Sequence, residues 1–155
     1  MTSLDINLGK VHTSIANLMQ KNSIQMNVQS AIFGLLTGVL KSSEFINSLK
    51  SDVLKIHEDK KITMNDMPIM CNIVVNSMSY IKTFSQTEKI AQTLDQEATK
   101  YIVFGIMYFV FLEVNASEAD LVAFTLMFDT LWQMISFDPK ELILSVNNSC
   151  CCKKQ

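Results

Sequence analysis

The chain has 155 residues, of which 48% are hydrophobic and 18% charged, and its formal net charge is −2. This length fits one domain with an ordinary core, and this composition excludes an intrinsically disordered chain. All thirteen basic residues are lysine, so the chain lacks the side chain best suited to bidentate contacts with phosphates and bases. Together with the negative net charge, this predicts a protein that does not bind nucleic acid.

Hydrophobic spacing predicts a first helix over residues 4–20 and a second over residues 24–40. The first helix carries one narrow apolar stripe. The second carries Ser30, Gly34 and Gly38 at steps of four, and such a row of small residues lets a neighbouring helix backbone come close. We therefore expect this row to mark tight helix packing inside a bundle.

A third helix is predicted over residues 44–56, and a fourth over residues 66–83 with Pro68 in its first turn. The charged loop between them, residues 57–66, matches a calcium-binding loop at the hydrophobic eighth position and the acidic twelfth. It supplies too few oxygen ligands, and Lys60 stands where the sharp turn needs glycine. We therefore expect this loop to be a plain connection between two helices and not a calcium-binding loop.

Ser85 and Glu88 form a capping-box pattern, which predicts that a fifth helix begins there and continues to about residue 114. Its second half contains an uninterrupted apolar run over residues 101–112. This run has about 12 residues, whereas a membrane-spanning helix needs about 20. The run therefore predicts a buried core helix and not a membrane span.

Ser117 and Asp120 predict the start of a sixth helix, and the aspartate–proline pair at residues 138–139 predicts a short seventh. No segment alternates with the period of a strand. The sequence thus predicts an all-α fold, a single-domain bundle of about six or seven helices. The bundle is expected over residues 1–147, followed by a flexible cysteine- and lysine-rich tail over residues 148–155.

The motifs that usually mark an active site do not occur in the sequence. It contains no His-Glu-x-x-His, no Cys-x-x-Cys, no nucleophile elbow and no phosphate-binding glycine loop. Four acidic residues cluster near the sixth helix, and most of them stand where helix starts and exposed faces favour carboxylates: Glu113, Glu118, Asp120 and Asp129. We therefore predict no catalytic residue, no metal site and no cofactor, and a protein that is not an enzyme.

Three of the four cysteines are adjacent near the end of the sequence, and two lysines follow them. The fourth, Cys71, stands alone in an apolar stretch, so no disulfide framework is predicted and a reducing, cytoplasmic or other intracellular compartment is favoured. Thiols beside lysines are candidates for S-acylation, in which each buried methylene contributes about 0.8 kcal/mol of membrane affinity. The lipidation candidates are Cys150, Cys151 and Cys152, and the membrane-proximal basic residues are Lys153 and Lys154.

Residues 57–73 read as a charged loop, a Lys-Ile-Thr segment, an aspartate, a proline and an apolar helix. This order resembles helix-opening segments of small structural proteins of phages and large DNA viruses. The arginine-free composition, rich in asparagine, lysine and methionine, resembles that of proteins from AT-rich genomes. The resemblance implies a virion component, such as a minor capsid-type or membrane-apposed protein.

The composition favours a function based on contact, because apolar residues are abundant and reactive groups are few. The first hypothesis is a non-enzymatic structural or interaction protein, whose apolar helix surfaces meet protein partners or copies of itself. One alternative is a peripheral membrane adaptor, held on a membrane surface by the S-acylated cysteine tail. Another is a binder of small apolar ligands, with a pocket between the fifth and sixth helices lined by Tyr108, Phe109 and Trp132.

Overall fold

A computed structural model describes residues 3–57, 62–87 and 96–135 of the chain. These residues form an all-α, single-domain bundle, as the sequence predicts. A short 3₁₀ turn, Met64–Asp66, precedes the fourth helix. In chain order the six α-helices of the described residues are α1 (Ser3–Lys21), α2 (Met26–Leu40), α3 (Ser43–His57), α4 (Met67–Thr87), α5 (Gln96–Glu113) and α6 (Glu118–Met134).

The apolar helix α5 lies at the centre of the bundle. Helices α1, α2, α3, α4 and α6 all pack against it, and between residues 98 and 111 only Lys100 and Tyr108 are not buried. A helix that is apolar on every side is stable in a water-soluble fold when other helices cover every side. The run over residues 101–112 is therefore a core helix, as predicted. None of the described helices combines the length and the hydropathy needed to cross a bilayer.

The crossing of α1 and α2 over α5 depends on Gly105. A Cβ atom at this position would lie 2.5 Å from Cδ1 of Ile15 on α1 and 2.7 Å from Cδ2 of Leu36 on α2. Both of those side chains are completely buried. Because glycine has no side chain, these two methyl groups can occupy the space directly above the α5 backbone.

Side-chain caps hold the 3₁₀ turn that leads into α4. Thr63 N–H donates to Asp66 Oδ2 at 2.9 Å, and Asn65 N–H donates to Thr63 Oγ1 at 3.3 Å. These two hydrogen bonds satisfy backbone donors at the start of the 3₁₀ turn, and Pro68 lies in the first turn of α4 as predicted. In the described part of the loop, the side chain of Asp66 therefore accepts a hydrogen bond from the backbone just before the helix.

The boundary between α4 and α5 differs from the prediction. Ser85 lies inside α4, which continues to Thr87, and α5 begins at Gln96. The predicted start of a fifth helix at Ser85 is therefore wrong. The apolar face of α4 extends through Ile81 and Phe84 into its last turns, so packing keeps the chain helical through the capping pattern. Glu88 lies outside the described residues.

Candidate functional site

A surface groove lies between α1 and α6, and α5 forms its floor. Both outer helices pack on α5, and the space between them has a volume of about 380 Å³. This volume is in the range of sites that bind small molecules or a few side chains of a partner. The groove is lined by Ser14, Asn17, Leu18 and Lys21 of α1, Phe104 and Tyr108 of α5, and Glu118, Leu121, Val122, Thr125 and Leu126 of α6.

The floor of the groove consists of packed aromatic rings. Phe104 is buried, and its ring centroid lies 5.7 Å from that of Tyr108 and 5.3 Å from that of Phe124. Phe128 meets Phe104 edge to face at 5.2 Å. Rings held by several neighbours in a close-packed core have little room to change rotamer. The floor is therefore formed before any ligand binds.

Two large apolar side chains are exposed on the α6 side of the groove. Val122 is 54% and Leu126 is 74% exposed, and residues four apart on a helix are neighbours on one face. We call this pair the apolar ridge. A single exposed apolar side chain is common on soluble proteins, but an apolar ridge beside a groove with an aromatic floor forms a contiguous apolar patch, which is typical of an interaction site.

The two rims of the groove carry opposite charge. On α1, Lys21 lines the groove, and the exposed Lys10 lies on the same face about three turns earlier. On α6, Glu118 and Asp129 are exposed, and Asp129 Oδ1 forms an ion pair with Lys100 Nζ at 3.1 Å. A partner in the groove would therefore meet a basic side on α1 and an acidic side on α6.

At one end the groove continues into a smaller depression of about 210 Å³. There Asn22 Nδ2 donates to Tyr101 Oη at 2.7 Å, and Tyr101 Oη donates to Glu97 Oε2 at 3.2 Å. Burial raises the pKa of the Tyr101 hydroxyl, and the nearby Glu97 carboxylate raises it as well. The hydroxyl is therefore protonated at neutral pH and connects the end of α1 to α5.

Local hydrogen bonds fix the start of α6 and the end of α1, the two helices that form the walls of the groove. At the start of α6, Ser117 Oγ accepts from Asp120 N–H at 3.1 Å, which confirms the predicted cap. At the end of α1, Ser23 adopts a φ of 60°, and Ile24 N–H donates to Met19 O at 3.0 Å. This is the left-handed ending that closes a helix and turns the chain away.

The structure does not bring the three predicted pocket residues together around the groove. Tyr108 lines the groove, but neither Phe109 nor Trp132 does. Phe109 is buried, about 100° around α5 from Tyr108. Trp132 is buried near the end of α6, where its ring stacks on Phe128 with centroids 5.9 Å apart. The aromatic partner of Tyr108 in the groove is Phe104.

The row of small residues on α2 also behaves differently from the prediction. Ser30 and Gly34 are exposed, and a Cβ atom at Gly34 would meet nothing within 4 Å. A Cβ atom at Gly38 would lie 2.7 Å from the ring of Phe84. Tight packing along this row within the described chain therefore occurs at Gly38, because the larger apolar residues of α2 turn toward the core and leave the other two small residues outside.

The acidic residues near α6 are distributed over separate contacts. Glu113 accepts from Asn7 Nδ2 at 2.5 Å and pairs with Lys50 Nζ at 3.2 Å, so it links α1 and α3 to the end of α5. Asp129 pairs with Lys100. Within the described ranges, no three histidine, cysteine, aspartate or glutamate side chains come close enough to hold a metal ion.

The lipidation candidates and the two lysines after them lie outside the described residues, as do the predicted seventh helix and the boundary at residues 147–148. S-acylation of the tail therefore stays a prediction.

Sequence reasoning did not single out the apolar ridge. The apolar residues of α6 that are buried in the core are Leu121, Phe124, Phe128, Leu131 and Trp132, and Val122 and Leu126 fall outside their helical spacing. The sequence does contain a signal for the ridge, because α6 carries more large apolar residues than its core-facing side can hold. Comparisons of the chain with protein-family models, curated proteins and solved structures found no match.

Proposed function

We propose that this chain is a non-enzymatic interaction protein that binds a helix of a protein partner in the groove between α1 and α6. The observation that carries this proposal is the exposed apolar ridge, Val122 and Leu126, beside a groove with an aromatic floor. Burying apolar surface contributes about 25 cal/mol per Å². Binding of a partner that covers the ridge and enters the groove is therefore favoured, because it buries apolar surface that is exposed in the isolated chain.

The shape of the groove favours a helix as the bound element. Its walls are two helices, and its lining positions on α6 extend from Glu118 to Leu126, about 12 Å along the helix axis. An amphipathic helix inserts side chains spaced three or four residues apart into such a groove. The resemblance of residues 57–73 to viral structural proteins makes a virion the setting in which we expect this contact.

Site-specific photo-crosslinking tests the proposal. A photoreactive amino acid at position 126 should form a discrete protein adduct in the cells that produce the chain, because this position faces the bound partner. The matched control is position 54 on α3, where Leu54 is also exposed, at 52%, but does not line the groove. Equal labelling from both positions, or no protein adduct from position 126, would contradict the proposal.

A further inference from the structure

We infer that the helix that occupies the groove is α6 of a second copy of this chain, so that two copies form a symmetric dimer. This inference rests on the proposed function, because it names the partner at the same groove. In the dimer, the apolar ridge of each copy, Val122 and Leu126, lies in the groove of the other.

The first argument is the position of the apolar ridge next to the groove. A two-fold interface uses the same surface patch on both subunits, so the patch must contain both a protruding part and a part that receives it. Here Val122 and Leu126 protrude, and the adjacent space between Leu18 and Tyr108 can receive them. Both parts are present on one face, and one rotation brings each ridge over the other copy's groove.

The second argument is charge. The α1 rim carries Lys10 and Lys21, whereas the exposed carboxylates of α6 are Glu118 and Asp129, of which Asp129 is also ion-paired with Lys100 of its own chain. When α6 of one copy lies in the groove of the other, the charges favour the orientation in which its acidic side chains face the basic α1 rim and not the acidic α6 of that copy. Complementary charges on facing surfaces favour association and select its orientation.

The third argument is area. Helix α6 has 17 residues and is about 25 Å long, and two adjacent helices are about 20 Å wide. The face formed by α1 and α6 therefore offers about 500 Å² per copy, or about 1,000 Å² in a dimer, which is the lower limit for a specific interface. The dimer should accordingly be reversible and dependent on concentration.

Analytical ultracentrifugation of the full chain over a concentration series, with reducing agent to prevent disulfides, tests the inference. The average mass should rise from that of one chain toward twice that value. Leu126→Lys should raise the dissociation constant more than about tenfold, because a charge would enter an apolar contact. The matched control Leu54→Lys should leave the constant unchanged, and thermal melts should confirm that both variants are folded.

Charge provides a second test of the same arrangement. Lys21→Glu should weaken the dimer severalfold, because it places a carboxylate beside the acidic α6 of the other copy. Lys41→Glu changes another exposed lysine, at the end of α2, and should have no effect. Equal effects of the two variants would overturn the proposed arrangement.

The outcomes separate this inference from the proposed function. A chain that stays monomeric at all concentrations, or a dimer weakened equally by Leu54→Lys, overturns the inference. If such a monomer still forms an adduct with a different protein from position 126, the groove binds another partner and the proposed function survives. If the crosslinker at position 126 joins only residues 136–155 of its own chain, both proposals fail.

Discussion

At the scale of single residues, the glycines of this chain have different roles that only their surroundings distinguish. Gly105 lies where α1 and α2 cross α5, under the ends of Ile15 and Leu36, whereas Gly34 faces open space. Both are mid-helix glycines, which lower helix stability by about 1 kcal/mol relative to alanine. At Gly105 the packing outweighs this loss of helix stability, because the helix crossing has no room for a side chain.

The first prediction compares these two glycines. Gly105→Ala should lower the free energy of unfolding by about 1 kcal/mol, since overpacking costs about 1–3 kcal/mol and the gain in helix propensity offsets part of it. Gly34→Ala should raise the free energy of unfolding by about 1 kcal/mol. Urea denaturation of both variants measures the difference. A Gly105→Ala variant as stable as Gly34→Ala would contradict the prediction, because the side chains of Ile15 and Leu36 would then move aside without loss of stability.

At the scale of helices, the chain ends two of them with the same left-handed geometry. Ser23 after α1 has a φ of 60°, and Asn115 after α5 has a φ of 62°. In the second case Ala116 N–H donates to Phe111 O at 3.0 Å, which matches the bond at the end of α1. Asparagine tolerates this conformation better than serine does, and glycine tolerates it best.

The second prediction follows from this difference. Ser23→Gly should raise the free energy of unfolding by about 0.5 kcal/mol, because glycine removes the steric cost of the left-handed backbone. Asn115→Gly should have a smaller effect. Ser30→Gly, inside α2, should lower the free energy of unfolding, since glycine is a poor helix former there. Thermal and urea denaturation of the three variants give the order, and a destabilised Ser23→Gly variant would contradict the argument.

The helices also show which helix ends the local sequence predicts correctly. The local sequence identifies Ser117 as the cap of α6 and Pro68 as a first-turn residue of α4, because capping depends on atoms within a few residues. The capping pattern at Ser85 gave a false start because the apolar face of α4, through Ile81 and Phe84, continues beyond it. Tertiary packing of a face can therefore override a local capping pattern.

At the scale of the whole molecule, a histidine between two helices makes stability depend on pH. His12 on α1 has Nε2 at 3.2 Å from Thr37 Oγ1 on α2, and its ring packs against Phe33. Burial lowers the pKa of His12 below its usual value of 6.5. Between the folded-state pKa and 6.5, the unfolded chain therefore binds more protons than the folded chain, and stability rises with pH.

The third prediction is the resulting pH profile. The contribution of His12 is fully present above pH 6.5 and is lost as the pH falls through the window between 6.5 and the lowered pKa of the folded state. The measurement is the free energy of unfolding from about pH 7.5 to about pH 5, above the usual titration range of most carboxylates. The His12→Gln variant is the control, since both proteins keep His57, whose titration then cancels. Parallel profiles for the two proteins would contradict the prediction.

The groove itself belongs to the whole molecule, and this is why sequence reasoning reached only part of it. The aromatic character of α5 predicts Tyr108 as a pocket residue, but all its neighbours in the groove except Phe104 come from α1 and α6. Leu18 and Leu126 are more than a hundred positions apart in the chain. The hydrophobic period of each helix indicates which side is apolar, but it contains no information on which other helix that side meets.

The amino-acid sequence by itself determined the helical class, most helix ends and the burial of α5, because these follow from hydrogen bonding within a few residues and from the need to bury an entirely apolar segment. Only the tertiary structure decided that α1 and α6 both lie on α5 with a groove between them, that Gly34 faces solvent while Gly105 supports a crossing, and that Val122 and Leu126 stay exposed. The reason is that these features depend on how whole helices fill the space around one another, and that packing joins segments that are distant in the chain.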